Sequence, residues 1–155
     1  MATKNLLNKS RDNFLLSDDE SLLDLKKIHA WLSLESYWAT GRDFELVERA
    51  FAFSYPIGVY EGEKQVAVAR IVSDTATFVW LCDVFVDSSY RGCGLGSWLA
   101  EAVVEWAELN NVRRLMLATK DAHEVYLRVG FEPLKDPSGW MTIDNRPQAE
   151  LSSSY

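Results

Sequence analysis

Between Thr77 and Ala118 the sequence reads as a strand, a glycine turn, a long helix and a second strand. Thr77–Val86 (TFVWLCDVFV) is rich in β-branched and aromatic residues, as a strand requires. Leu95, Trp98, Leu99, Ala102, Val103, Trp106 and Ala107 then recur at i, i+3, i+4, i+7 and i+8, with Glu101, Glu105 and Glu108 opposite. That pattern predicts an amphipathic helix with one buried face. Asn110 and Asn111 end it, and Arg113–Ala118 (RRLMLA) supplies the next strand. Two strands joined by a helical crossover pair in parallel, because the helix returns the chain to the same end of the sheet.

The rest of the chain is arranged around this unit. Asn13–Ser17 predicts a first strand, and Ser17 and Ser21, each three residues before an acid (Glu20, Asp24), predict capping boxes for a following helix. Leu22, Leu25, Ile28, His29 and Leu32 carry that helix, with His29 as a core or capping residue. Leu34 to Gly41 (LESYWATG) breaks the period and reads as a loop or short helix, and Phe44, Val47, Glu48 and Phe51 predict another helix. Ile57–Tyr60 and Val66–Val72 flank a hairpin turn at Glu61-Gly62-Glu63-Lys64. A helix over Asp121–Val129 stops at Gly130, and Phe131–Leu134 and Trp140–Ile143 read as two closing strands. The expected class is α/β, a mixed and mostly antiparallel sheet with one parallel pair, flanked by helices. Residues 1–12 read as a flexible N-terminus, 13–145 as one domain and 146–155 as a polar, Ser-rich tail.

Sixteen Lys and Arg against twenty-three Asp and Glu give a net charge of −7. That balance argues against nucleic-acid binding, which depends on neutralising phosphates. Residues 1–87 hold nine basic and fourteen acidic side chains, so most of the acidic surplus falls there. No apolar run approaches the ~18 residues of a membrane span, and the polar N-terminus has no signal-peptide core. Cys82 and Cys93 are the only cysteines and form no CxxC pair, which points to a reducing, cytoplasmic setting and no metal site.

The chemistry concentrates in Tyr90-Arg91-Gly92-Cys93-Gly94-Leu95-Gly96-Ser97, placed between the longest strand and the clearest helix. Glycines there let several amides turn the same way, and the helix N-terminus favours an anion such as a pyrophosphate. A turn without a ligand remains open on glycine content alone. A nucleoside-triphosphate loop needs a Lys after its last glycine, and none is present. A dinucleotide fingerprint needs GxGxxG, whereas the third glycine here follows after one residue.

Arg91-Gly92-Cys93-Gly94-Leu95-Gly96 resembles the acetyl-CoA motif of the GCN5-related N-acetyltransferases at every defined position. Asp83-Val84-Phe85-Val86 with Asp87-Ser88-Ser89-Tyr90 is similar to that family's strand and lead-in loop. Ala122, Tyr126, Gly130 and Phe131 match its second signature, A-x-x-x-Y-x-x-x-G-F. Ser36-Tyr37-Trp38 and Asp121-Ala122-His123 resemble a bacterial subgroup bearing SYW and DAH signatures. The resemblance implies a V-shaped cleft between splayed parallel strands, with acetyl-CoA as cosubstrate. Amides from Arg91, Gly92, Cys93, Gly94, Leu95, Gly96 and Ser97 would hold the pyrophosphate, with Cys93 as loop filler. Backbone at Phe85 and Val86 would pair with the pantetheine arm, and an amide near Val84–Phe85 would face the developing oxyanion. Tyr126 matches the general acid that protonates the departing thiolate. Asp83, an acid in an apolar strand, is the first candidate for the base or for orienting a cationic substrate; His123, one turn before Tyr126, is the second. Tyr37, Trp38 and Arg42 would border the acceptor. The implied reaction is acetyl transfer to a primary amine of a small molecule by direct attack in a ternary complex. A protein or peptide acceptor, and a non-catalytic CoA-binding sensor, are the alternatives. Relatives often form homodimers, so a homodimer is an allowed assembly.

Overall fold

The strands follow one another across a single sheet in chain order: β1 (Asn8–Arg11), β2 (Phe14–Ser17), β3 (Tyr55–Glu61), β4 (Lys64–Ser73), β5 (Val79–Val86) and β6 (Leu115–Leu117). Neighbours are antiparallel through β5, and β5 with β6 is the parallel pair. Among the described residues four α-helices accompany them: α1 (Leu25–Ala30), α2 (Phe44–Ala52), α3 (Leu95–Leu109) and α4 (His123–Leu127). The computed structural model describes residues 7–147.

Alternation along β4 shows how the layers form. Ala67, Ala69 and Ile71 pack with Trp98, Leu99, Val103 and Trp106 of α3, while Val68 packs with Ile28, Val47 and Phe51 on the α1–α2 side. Successive side chains of a strand point to opposite faces, so one strand feeds two cores. The aliphatic stripe of α3 is buried as its spacing predicts, Trp106 to 1% and Leu99 to 0% exposure.

Several expectations are corrected. Asn8–Arg11, expected in the flexible end, forms an edge strand paired with β2. Its residues are all exposed, so it has no hydrophobic alternation to read. Lys9 and Arg11 pair with Glu105 and Glu101 of α3, and Leu7 is buried with its amide on the Asp18 carboxylate. Residues 1–6 and 148–155, which carry the rest of the expected flexible ends, lie outside the described residues. Ser17 ends β2 and cannot start a helix; Asp19 and Asp24 are the caps, accepting from the amides of Ser21 and Lys27. The helix beginning at Leu25 continues past Ala30 as a π-helical turn, Trp31–Glu35. Phe131–Leu134 and Trp140–Ile143 form no strands. Pro133 removes a ladder donor from the first, and Met141 and Ile143 of the second are 97% and 91% exposed. Strand propensity without a neighbour to pair and pack against does not make a strand.

Candidate active site

The parallel pairing of β5 with β6 lasts only for Val79–Leu115, Trp80–Met116 and Leu81–Leu117. Beyond Leu81, β5 continues along β4 to Val86, whereas β6 ends. The sheet therefore forks, and a pocket opens at the fork. Leu81, Cys82, Asp83 and Val84 form one wall, and Leu117, Ala118 and Thr119 the opposite wall. Tyr37 and Trp38 close it from the loop before α2, and Asp121, Ala122 and Tyr126 from the start of α4.

A β-bulge shapes the β5 wall. Between the pairs Val68–Phe85 and Arg70–Cys82, β4 advances two residues and β5 three. The extra residue reverses which face later side chains take. Before the bulge Val79 and Leu81 point to the α3 core; after it Phe85 joins the α1–α2 core, stacked on Trp31 at 5.4 Å. Asp83 sits in the bulge at φ +50°, a left-handed conformation that Asp tolerates better than most residues.

The bulge turns the Asp83 carboxylate onto two arginines. Oδ1 accepts from Trp38 Nε1 at 2.9 Å and Arg42 Nη1 at 3.2 Å. Oδ2 accepts from Arg42 Nη1 at 3.1 Å and Arg70 Nε at 2.8 Å. Asp83 is 4% exposed, and a carboxylate has about four acceptor positions, so its capacity is filled. Arg70 was not singled out from sequence, although a lone arginine within VAVARIV is a visible anomaly. His29 helps place this group: its Nε2 meets the Arg42 carbonyl at 2.9 Å, and its ring packs edge-on against Phe44.

Tyr126 is buried at 9% exposure in the pocket wall, edge-on to Phe131 at 5.8 Å. His123 stands one turn before it, at the start of the same short helix. Its side chain is exposed and does not line the pocket. The pocket wall thus holds Asp83 and Tyr126 of the three candidate catalytic residues. Cys82 lines the pocket, but burial pushes its thiol up to about 12, leaving it neutral. Cys93 is exposed on the glycine loop.

That loop starts with Asp87, whose carboxylate accepts from the Ser89 amide and sets a 3₁₀ turn over Ser88–Tyr90. Gly92 and Gly94 follow at φ +83° and +77°, and a Cβ on either would meet nothing within 4 Å. Gly94 caps α3 with no side-chain bond, so the first-turn amides at Leu95, Gly96 and Ser97 have no side-chain cap. Leu95 itself anchors the turn in the α3 core at 2% exposure. Gly96 has ordinary φ, and a Cβ there would touch only Val86 Cγ2 at 3.9 Å. Arg91 lies over the Phe85 ring at 5.4 Å, and its Nε donates to the Val86 carbonyl at 3.3 Å.

Residues 25–131 match the model of the acetyltransferase (GNAT) family. The chain belongs to the GNAT acetyltransferase family. A Xanthomonas campestris protein assigned to the same family is 41% identical, superimposes with a TM-score of 0.81, and the match covers 91% of this chain and 97% of that one. A Gibberella zeae protein named as an acetyltransferase is 30% identical over 142 residues, 77% of this chain and 78% of its own. Glucosamine-6-phosphate N-acetyltransferase from Arabidopsis thaliana shares the GNAT fold at a TM-score of 0.58 and 17% identity, covering 86% of this chain and 99% of that one. Among the described residues no helix is long and apolar enough to cross a membrane, and no three His, Cys, Asp or Glu side chains cluster as a metal site.

Proposed function

We propose that this protein is an acetyl-CoA-dependent N-acetyltransferase acting on a primary amine of a small molecule, by direct attack in a ternary complex. The observation that carries the reading is the fork itself. Its opening exposes the β6-facing edge of β5 beyond Leu81 and is lined by Tyr126, and the glycine loop, with open space at Gly92 and Gly94, follows the end of that same strand. Acetyl-CoA would supply the acetyl group as a thioester. The loop from Arg91 to Ser97 would bind its pyrophosphate through backbone amides, which a chain of net charge −7 needs in place of a favourable overall field. The backbone of Val84 to Val86 would pair with the pantetheine arm as a neighbouring strand does.

Tyr126 would present its phenol to the departing sulfur. A phenol near pKa ~10 protonating a thiolate near ~8.5 is uphill by about 2 kcal/mol in water, so the contact must stabilise the transferring proton. Asp83 is assigned a positioning role: with both oxygens occupied by Trp38, Arg42 and Arg70, it fixes the acceptor wall instead of receiving the amine's proton. Closure of the pocket by Tyr37 and Trp38 favours a small acceptor over a peptide.

The test is acetyl-CoA turnover with a panel of small amines and peptides. Turnover on peptides alone would replace the small-molecule reading, and tight CoA binding with no turnover would favour a sensor. Tyr126→Phe is expected to lower kcat tenfold or more while the acetyl-CoA dissociation constant, measured by calorimetry, changes less than about twofold. Wild-type kcat in that variant would remove Tyr126 from the chemistry.

A further inference from the structure

Two carboxylates line the pocket, and they differ in state. Asp83 is buried and saturated by two guanidinium groups and an indole N–H. Asp121 is exposed at the start of α4, and no hydrogen bond or ion pair among the described residues engages its carboxylate. The same pocket is lined by the rings of Tyr37 and Trp38, packed edge to face at 4.9 Å. This wall already attracts one cation of the chain: the Lys120 ammonium lies 5.6 Å from the centre of the Tyr37 ring. An exposed carboxylate without an ion pair among the described residues, in a pocket lined by aromatic rings, attracts a cation by charge and by ring quadrupole.

A nucleophilic amine must shed its proton before attack, and so loses its positive charge where it reacts. A fixed carboxylate at the mouth remains useful through the reaction only if the acceptor carries a second cation. We propose that Asp121 binds a distal ammonium of the acceptor, and that the substrate class is a diamine-like dication. This rests on the acetyltransferase reading above. In the transfer, the neutral amine nitrogen forms the new N–C bond as the C–S bond breaks. The amine's proton leaves to water, the thiolate gains one from Tyr126, which is reprotonated from water, and the distal ammonium stays protonated on nitrogen and paired with Asp121.

The experiment compares 1,4-diaminobutane with butylamine as acceptors, reading CoA release by the full-length protein, with acetyl-CoA binding measured separately by calorimetry. The diamine is expected to exceed butylamine in kcat/KM by at least about fivefold, the size expected of a partly exposed ion pair beside an aromatic face. Asp121→Asn should bring that ratio near one, chiefly through a higher KM for the diamine, and Asp121→Glu should restore part of it. An undiminished ratio in Asp121→Asn, or no diamine preference in the wild type, overturns the inference. If acetyl-CoA binds and neither amine is acetylated, the inference fails while the cosubstrate reading stands; if acetyl-CoA does not bind, both fail.

Discussion

Asp83→Asn is expected to destabilise the fold by about 3–5 kcal/mol, the cost typical of removing one partner from a buried ion pair. In a domain of this size that lowers Tm by roughly 10 °C. The substitution is nearly isosteric, and Asn accepts left-handed φ at least as readily as Asp, so the bulge at φ +50° survives it. What changes is charge. Arg42 and Arg70, each with a side chain 14% exposed, would face an amide instead of a carboxylate. Thermal and urea unfolding would measure the loss, and a change below about 1 kcal/mol would show that the arginines relax into water. Adding Arg70→Met to Asp83→Asn should recover part of the stability, because one of the two uncompensated charges is then removed; the two changes share a contact and will not add.

Gly94→Val is expected to weaken acetyl-CoA binding about a hundredfold or more while leaving the domain folded. Nothing lies within 4 Å of a Cβ at Gly94, so the added Cβ meets open space. The difficulty is φ +77°, which a β-branched residue adopts only at a cost of about 1–2 kcal/mol. The loop escapes that strain by rotating the peptide, which turns the first amides of α3 away from a common point. Losing two amide-to-phosphate hydrogen bonds at about 1.5–3 kcal/mol each accounts for the factor. Calorimetric titration checks the affinity, and circular dichroism checks that α3 persists. Undiminished affinity would mean that the pyrophosphate sits elsewhere.

The parts of the protein legible in its sequence are those whose signals are local. The seven apolar positions of α3 are spaced by the helix itself, and the glycine loop is eight consecutive residues. The parallel pair, too, follows from the length of the connection. The partners of Asp83 were not legible, since Trp38, Arg42 and Arg70 come from a loop and a neighbouring strand 45, 41 and 13 residues away. Nor could periodicity show the bulge, which is a difference in register between two strands. His123 and Tyr126 share one helix as their spacing implies, but periodicity does not show how a five-residue helix meets the cleft, and the His123 side chain is exposed outside the pocket wall. At the two ends, the polar NKSR made a strand through backbone pairing, while the apolar runs after Gly130 pair with no strand among the described residues.

The fork in the sheet also fixes where the tolerance of this site is set. Its two lips, β5 and β6, are joined through α3, and eight side chains of that helix are buried. Widening or narrowing the aperture by an ångström would require that close-packed helix to slide over the sheet, which interiors of this density resist. The width of the mouth is thus a property of Trp98, Leu99, Val103 and Trp106, residues with no chemistry of their own. A change of one methylene in that stripe would register as altered catalysis in a protein whose reactive groups are all intact.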